Sequence, residues 1–423
     1  MDIQEELARY TRAEMDYWDF SGVIRIIQNG SVIFETSRGY ANIGFSIKNN
    51  IKTRFNIASV TKQFTAFAIM VLYDKGLLEL DGKAGKYLPG NMLLPQEITV
   101  HDLLSHTSGL CNNYNFEDNF YVYEDRLPYN KEQFFRNWII KKPVNKPGKE
   151  FNYNNSNYNL LAWIIENVSG KSYNEFLYEN IFSRLGMDNT IFDNGKDIIS
   201  GKADNYLHDY DVLVKVPYTN NLFSIGAGAL VTNCDDLWKW YKCLKNKEIL
   251  SEQAYGIYLS ENKNNYCYGL ERHNEGGRIK YCHGGDCIGV SAYTQYYFDE
   301  DICIIIMSNT ESIDQYRFGN GISSILHGRQ AQASRRQESI LLPPEELQKY
   351  TGTYLPGKIH IVQKDGKLYL VRVNQDIHIR LYCVGKDSFK RWYEEQQLVH
   401  KLIPDGSTKP SVWGYELISK DLI

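Results

Sequence analysis

Phe55-Asn56-Ile57-Ala58-Ser59-Val60-Thr61-Lys62-Gln63-Phe64-Thr65-Ala66 places a hydroxyl and an amine at the head of an apolar helical pattern. Ser59 and Lys62 fit S-x-x-K, and residues i and i+3 of a helix share a face, so the amine can lie beside the hydroxyl. Serine is a poor nucleophile until a base takes its proton. A lysine whose pKa is lowered by desolvation and neighbouring positive charge can be that base. If Ser59 opens the helix, its backbone N–H also points at a bound substrate. The helix is expected from about Ser59 to Lys75, closed by Gly76. Phe64, Phe67, Ala68, Val71 and Leu72 recur at helical spacing, which predicts one face in a core.

The spacing alone is weak, because Ser260-Glu261-Asn262-Lys263 fits it too. That second match sits among polar residues with no apolar helix behind it, whereas Ser59 has the setting the chemistry requires. Tyr153-Asn154-Asn155 fits Y-x-N. A tyrosine near a lysine can have its phenol pKa lowered and shuttle protons, while an amide at Asn155 can hold Lys62 and a substrate carbonyl. Tyr40-Ala41-Asn42, Tyr178-Glu179-Asn180 and Tyr218-Thr219-Asn220 fit the same pattern. Tyr153 is set apart by the turn-forming Pro147-Gly148 upstream and a helical pattern from Asn159. His283-Gly284-Gly285 precedes a strand at Val290. It reads as an ordinary turn, or as glycines that let a substrate backbone approach closely.

Around these motifs, residues 2 to 16 read as a helix. Val23–Ile27 and Val32–Glu35 flank Asn29-Gly30, a strong hairpin signal. Helices are expected at Asn159–Val168 and Asp235–Leu244, and strands at Val290–Phe298 and Ile302–Ser308. Strands at both ends of a mainly helical region predict the α+β class, an antiparallel sheet carrying helices. With 423 residues the chain is expected to form two domains. The first spans 1–326 and a polar linker covers 327–344, with Pro343-Pro344 at its end. A small all-β, barrel-like domain follows over 345–423, with strands at Ile359–Val362, Lys367–Val373, Ile377–Cys383 and Trp413–Leu417.

Composition excludes several classes. Apolar residues at 43% and charged residues at 23% are those of a globular protein. A net charge of -4, from 47 basic and 51 acidic side chains, predicts no nucleic-acid partner. No basic cluster or long apolar run predicts a membrane partner, and the acidic Met1-Asp2-Ile3-Gln4-Glu5-Glu6 start lacks a secretory pattern, so a cytoplasmic location is expected. The eight cysteines form no CxxC pair and read as reduced thiols, with Cys282 and Cys287 as small buried residues near a strand. No H-E-x-x-H or other histidine pair at ligand spacing occurs, so neither a catalytic metal nor another cofactor is expected. His106 reads as a structural residue beneath a turn.

The three motifs, in this order, resemble those of the serine β-lactamase and penicillin-binding protein superfamily, in particular its class C-like branch. Leu80-Asp81, His101–Leu110 and Gly226-Ala227-Gly228-Ala229-Leu230-Val231 are similar to other recurrent segments of that family, over roughly residues 15 to 325. The resemblance implies an antiparallel sheet beside a helical cluster with the site between them. It implies Ser59 as acyl-accepting nucleophile, with Lys62 and Tyr153 sharing proton transfers in an undecided division. Asn155 would position, His283 would line the pocket beside Gly285, and the backbone N–H groups of Ser59 and Asp286 would form the oxyanion hole. Leu347–Tyr354 looks like the start of the β-barrel appendage carried by some members. His283 stands where a lysine can bind a substrate carboxylate, and Asp286 stands where a hydroxyl is frequent. A carboxylate there repels an anionic substrate where it faces the pocket, and welcomes an amine. The expected activity is therefore an esterase or a peptidase/amidase acting on a small-molecule or peptide substrate, including D-residue peptides, with weak β-lactamase activity at most. An acyltransferase using the same acyl-enzyme and a non-catalytic ligand sensor are the alternatives; oligomeric state is not legible.

Overall fold

The computed structural model describes residues 2–90, 92–112, 130–139, 143–217, 220–310, 313–335, 338–355, 359–372, 377–391, 399–403 and 415–420. Met1, Tyr218, Thr219, Val373 and Trp413, named above, lie outside them. The strands of four or more residues in the first region are β1 (Gly22–Gln28), β2 (Ser31–Arg38), a separate hairpin of β3 (Tyr206–Asp209) and β4 (Val212–Lys215), then β5 (Glu271–Glu275), β6 (Arg278–Cys287), β7 (Val290–Tyr297) and β8 (Ile302–Ser308). The central sheet has the order β5-β6-β7-β8-β1-β2, with every neighbouring pair antiparallel. Asn29 and Gly30 both take positive φ, which suits the tight turn joining β1 to β2.

Both faces of this sheet are covered, which explains why β1 and β8 are almost continuously apolar. Along β8, Cys303, Ile305 and Met307 enter one core, while Ile302, Ile304 and Ile306 enter the other. The second core is closed by α1 (Ile3–Tyr17) and α5 (Gln315–Leu326). The first and larger core contains α2 (Thr61–Asp74), α3 (Asn155–Ser169) and α4 (Cys234–Asn246). The molecule is α+β, as its patterning predicts. One expectation is corrected: α2 is buried on all sides from Thr61 to Leu72, not along a single face. A helix buried all round belongs at the centre of a helical cluster, and Phe64 and Phe67 pack there against Trp240.

No helix or strand occurs among the described residues of 327–343, yet this stretch is anchored. The fully buried Glu14 carboxylate accepts hydrogen bonds from Trp18 Nε1 (2.7 Å), Ser334 N–H (2.6 Å) and Ser334 Oγ (2.9 Å). The chain then forms a closed barrel of β9 (Gly352–Leu355), β10 (Ile359–Lys364), β11 (Lys367–Arg372), β12 (His378–Gly385), β13 (Ser388–Arg391), β14 (Val399–Ile403) and β15 (Tyr415–Lys420). Its small core includes Leu347, Ile361, Leu368, Leu370, Leu381 and Phe389. No helix of the described residues is long and apolar enough to cross a membrane.

Candidate active site

Ser59 is placed by a break in the chain. The short strand Phe55–Asn56 pairs with Leu230–Thr232, and Ala58 then takes φ +42, a conformation an alanine rarely adopts. Asn56 supports it by accepting the Ala58 N–H at 2.8 Å. Ala58–Val60 form one 3₁₀ turn that feeds α2, so Ser59 lies just ahead of the α-helix with its side of the turn partly exposed. Lys62 follows in the first turn of α2 and is fully buried.

The Lys62 Nζ lies 2.9 Å from Ser59 Oγ, 2.7 Å from Asn155 Oδ1 and 2.8 Å from the Ala227 carbonyl. Burial holds this amine well below the ordinary lysine pKa. In the neutral form it has two N–H groups and one lone pair. The Asn155 and Ala227 oxygens can only accept, so the two N–H groups go to them and the lone pair is left for the Ser59 hydroxyl. The arrangement therefore aims a base at the serine proton.

Asn155 begins α3. The preceding Asn154 caps that helix, its Oδ1 accepting the Ser156 N–H at 2.8 Å and its Nδ2 donating to the Leu110 carbonyl at 2.8 Å. Tyr153, one residue earlier, lies within hydrogen-bonding reach of Ser59, and its ring centre is 4.8 Å from Lys62 Nζ. Here the sequence expectation of a lowered phenol pKa is corrected. Tyr153 is partly exposed at its edge, but the protein packed around its phenol raises the pKa, with the Ser59 hydrogen bond opposing. Beneath it lies His106, fully buried and at φ +58, its ring 4.4 Å from the Tyr153 ring. His106 Nδ1 accepts the Asn154 N–H at 3.0 Å, so it supports the whole Tyr153–Asn155 loop. Burial pushes its pKa down, and it stays neutral.

The His283-Gly284-Gly285 segment is not a turn: it lies inside β6. His283 is also not on the cleft wall. It is 2% exposed; its Nδ1–H donates to the Gly284 carbonyl at 2.6 Å, leaving Nε2 to accept from Tyr266 Oη at 3.2 Å. Burial pulls its pKa down to about 4, partly opposed by Glu271. Gly285 is required by space, since a Cβ there would stand 2.2 Å from the Ile57 carbonyl oxygen and 3.2 Å from the Ser59 nitrogen. β6 thus presses against the Ser59 turn, which brings Asp286 alongside. Asp286 is exposed and its carboxylate accepts from Ser291 Oγ (3.0 Å) and Gln315 Nε2 (3.4 Å). Cys287 is exposed too, unlike the expectation that paired it with the buried Cys282. It follows the point where β6 leaves the core for the cleft rim.

Ser59, Asn155 and Asp286 open onto a cleft of about 330 Å³, within the range of small-ligand sites. Its far wall comes from a region that sequence reading did not mark, including Asp193, Asp197, Lys202, Asp204 and Lys215. The second S-x-x-K match forms no such site, because Lys263 Nζ donates to the Gly148 and Lys149 carbonyls at 2.6 and 2.7 Å.

The family described as Beta-lactamase matches residues 7–324. The chain belongs to the beta-lactamase family. Penicillin-binding protein 4* of Bacillus subtilis is 28% identical over 404 residues, covering 88% of this chain and 87% of that protein. The octameric penicillin-binding protein homologue from Pyrococcus abyssi superposes with a TM-score of 0.67 at 25% identity, over 92% of this chain and 93% of its own. A D-stereospecific amidohydrolase from Streptomyces sp. shares the fold at 21% identity and a TM-score of 0.62, over 72% of this chain and 94% of its own. Both solved structures thus share this chain's fold, within which the Ser59, Lys62 and Asn155 side chains meet.

Proposed function

We propose that this member of the beta-lactamase family is a serine hydrolase that forms an acyl-enzyme on Ser59 and cleaves esters or amides. The observation that carries the reading is the buried Lys62 amine, depressed in pKa and 2.9 Å from the Ser59 hydroxyl. Lys62 takes the Ser59 proton as Oγ bonds to the substrate carbonyl carbon. The oxyanion is received by the backbone N–H groups of Ser59 and Asp286. The carbon–leaving-group bond then breaks, and the departing atom takes a proton delivered from Lys62 through the Tyr153 hydroxyl. Water reverses the sequence: it loses its proton to Lys62, attacks the ester, and Ser59 recovers its hydrogen as the acid departs. The opposite pKa shifts favour Lys62 over Tyr153 as the base in acylation, because a phenol pushed upward holds its proton.

The cleft lining carries four carboxylates (Asp193, Asp197, Asp204, Asp286) against two ammonium groups (Lys202, Lys215), a net of two negative charges. This supports substrates bearing an amine over those bearing a carboxylate, and so amidase, peptidase or esterase activity rather than efficient β-lactam hydrolysis. The decisive experiment treats the protein and a Ser59→Ala variant with a fluorophosphonate probe, p-nitrophenyl esters, D- and L-aminoacyl p-nitroanilides and nitrocefin. Labelling and turnover are expected in the wild type and absent in the variant, with nitrocefin the poorest substrate. Equal behaviour of the two proteins would overturn the reading and leave a ligand-binding role on this fold.

A further inference from the structure

The β3–β4 hairpin forms part of the cleft wall and yet has little of its own to hold it. Asp204 and Asn205 precede β3, while Lys215 ends β4 and Val216 and Pro217 follow; all five line the cleft. At this base the hairpin is tied to the body. Tyr206 N–H donates to the Asn309 carbonyl at 2.9 Å, Val216 N–H donates to the Asn205 carbonyl at 2.9 Å, and Lys215 pairs with Asp204 at 2.8 Å. It also packs on Gly289 in the β6–β7 turn, where a Cβ would stand 2.3 Å from Val216 Cγ2. Farther out the support thins: on β3 Leu207 stays buried and His208 Nε2 lies 3.6 Å from Asp19, but Val212 is 61% exposed and all of β4 faces solvent. An isolated two-stranded hairpin is marginal in water.

What holds the other end is the C-terminal barrel. At the hairpin tip Tyr210 and Asp211 both take positive φ, making a tight turn. The Tyr210 N–H donates to the His378 carbonyl at 3.1 Å, and the His378 N–H donates to Asp209 Oδ1 at 2.8 Å. The Tyr210 and His378 rings stack at 3.7 Å, and Lys364 Nζ sits 3.8 Å over the Tyr210 ring centre. Asp211 Oδ2 receives Lys367 Nζ at 2.9 Å, Tyr369 Oη at 3.2 Å and an Arg380 guanidinium N–H at 3.2 Å. Backbone, ring and charge contacts from β10, β11 and β12 therefore converge on three tip residues.

We propose that the barrel is a positioning device for substrate: by gripping Asp209, Tyr210 and Asp211 it fixes the hairpin wall of the cleft, and so sets affinity without touching the reacting atoms. This rests on the hydrolase reading of the cleft, and Asp211, Lys367, His378 and Arg380 are its positioning residues. The test uses the full chain with Lys367→Glu and Arg380→Glu together, which sets two carboxylates against Asp211. A third substitution, Asp211→Lys, restores attraction. In the double variant, amide hydrogen exchange is expected to speed up across residues 205–216 but not in α2. KM for aminoacyl p-nitroanilides should rise about tenfold with kcat little changed, and fluorophosphonate labelling of Ser59 should keep its rate. The triple variant should recover both the protection and the KM. Unchanged exchange in the hairpin, or exchange, kcat and labelling failing together without rescue, would overturn the proposal. If the wild type shows no Ser59-dependent turnover, the hydrolase reading falls alone, and the exchange pattern with its rescue still decides whether the barrel holds the wall.

Discussion

His283 shows how one buried side chain can set the response of the whole chain to acid. Its pKa falls to about 4 because burial disfavours the imidazolium, against 6.5 when unfolded. Above pH 6.5 both states are neutral there and the residue adds no pH dependence. As pH drops through 6.5 toward 4 the unfolded chain takes up a proton that the folded one refuses, so stability falls. The gap corresponds to about 3 kcal/mol at its limit. A His283→Gln variant keeps a donor for Gly284 and an acceptor for Tyr266 but cannot titrate. Between pH 7 and pH 4.5 the wild type should therefore lose roughly 2–3 kcal/mol more stability than the variant, by denaturant melts at both values. His106 is depressed in the same direction chiefly by its own burial, with His283 a lesser cause, so most of its contribution is common to both proteins. Parallel pH curves would show that His283 is charged or solvated in the fold.

Among the elements, the contact between β6 and the Ser59 turn controls the geometry of the site. A Gly285→Ala methyl must displace the Ile57 carbonyl, which lies 2.2 Å away on rigid backbone. Moving Ser59 by about 1 Å relative to Lys62 and β6 is expected to lower kcat/KM about a hundredfold. Gly90→Ala is the control, since nothing lies within 4 Å of its added methyl. A Gly285→Ala variant of full activity would mean that β6 does not brace Ser59. This strand also marks where sequence reading stopped. Ser59, Lys62, Tyr153 and Asn155 were legible because helix spacing and motif order bring them together. For His283-Gly284-Gly285 a turn stood as one of two readings because two glycines signal chain reversal, yet cross-strand pairing with Tyr293 and Ala292 holds the glycines extended. β5 and most of β6 went unmarked: β5 is polar and half-exposed, so it lacks the alternation that betrays a strand. Likewise Ala227 offers only a backbone carbonyl to Lys62, and no side-chain signal announces that.

Across the whole molecule, the cleft's charge comes from segments far apart in sequence, so no local pattern displays it. Asp193 and Asp197 lie on one loop, Asp204 precedes the hairpin and Lys215 ends it, and Asp286 is the next-to-last residue of β6, beside the Ser59 turn. Lys202 pairs with Asp193 and Lys215 with Asp204, which leaves the surplus of two negative charges associated with Asp197 and Asp286. Both carboxylates are near solvent, so their field acts over about one Debye length, ~10 Å at 0.1 M salt, and weakens as salt rises. An aminoacyl p-nitroanilide with a free amine should thus be preferred over its N-acetyl form several-fold at low ionic strength, by about the worth of one or two screened charges. The preference should shrink in 1 M salt and again in an Asp197→Asn/Asp286→Asn variant, where the cleft becomes neutral. KM should carry the change, because a uniform field binds ground state and transition state alike. A preference that survives both salt and the double substitution would assign amine recognition to hydrogen bonds, with Asn155 and Asn220 as the cleft's nearest candidates.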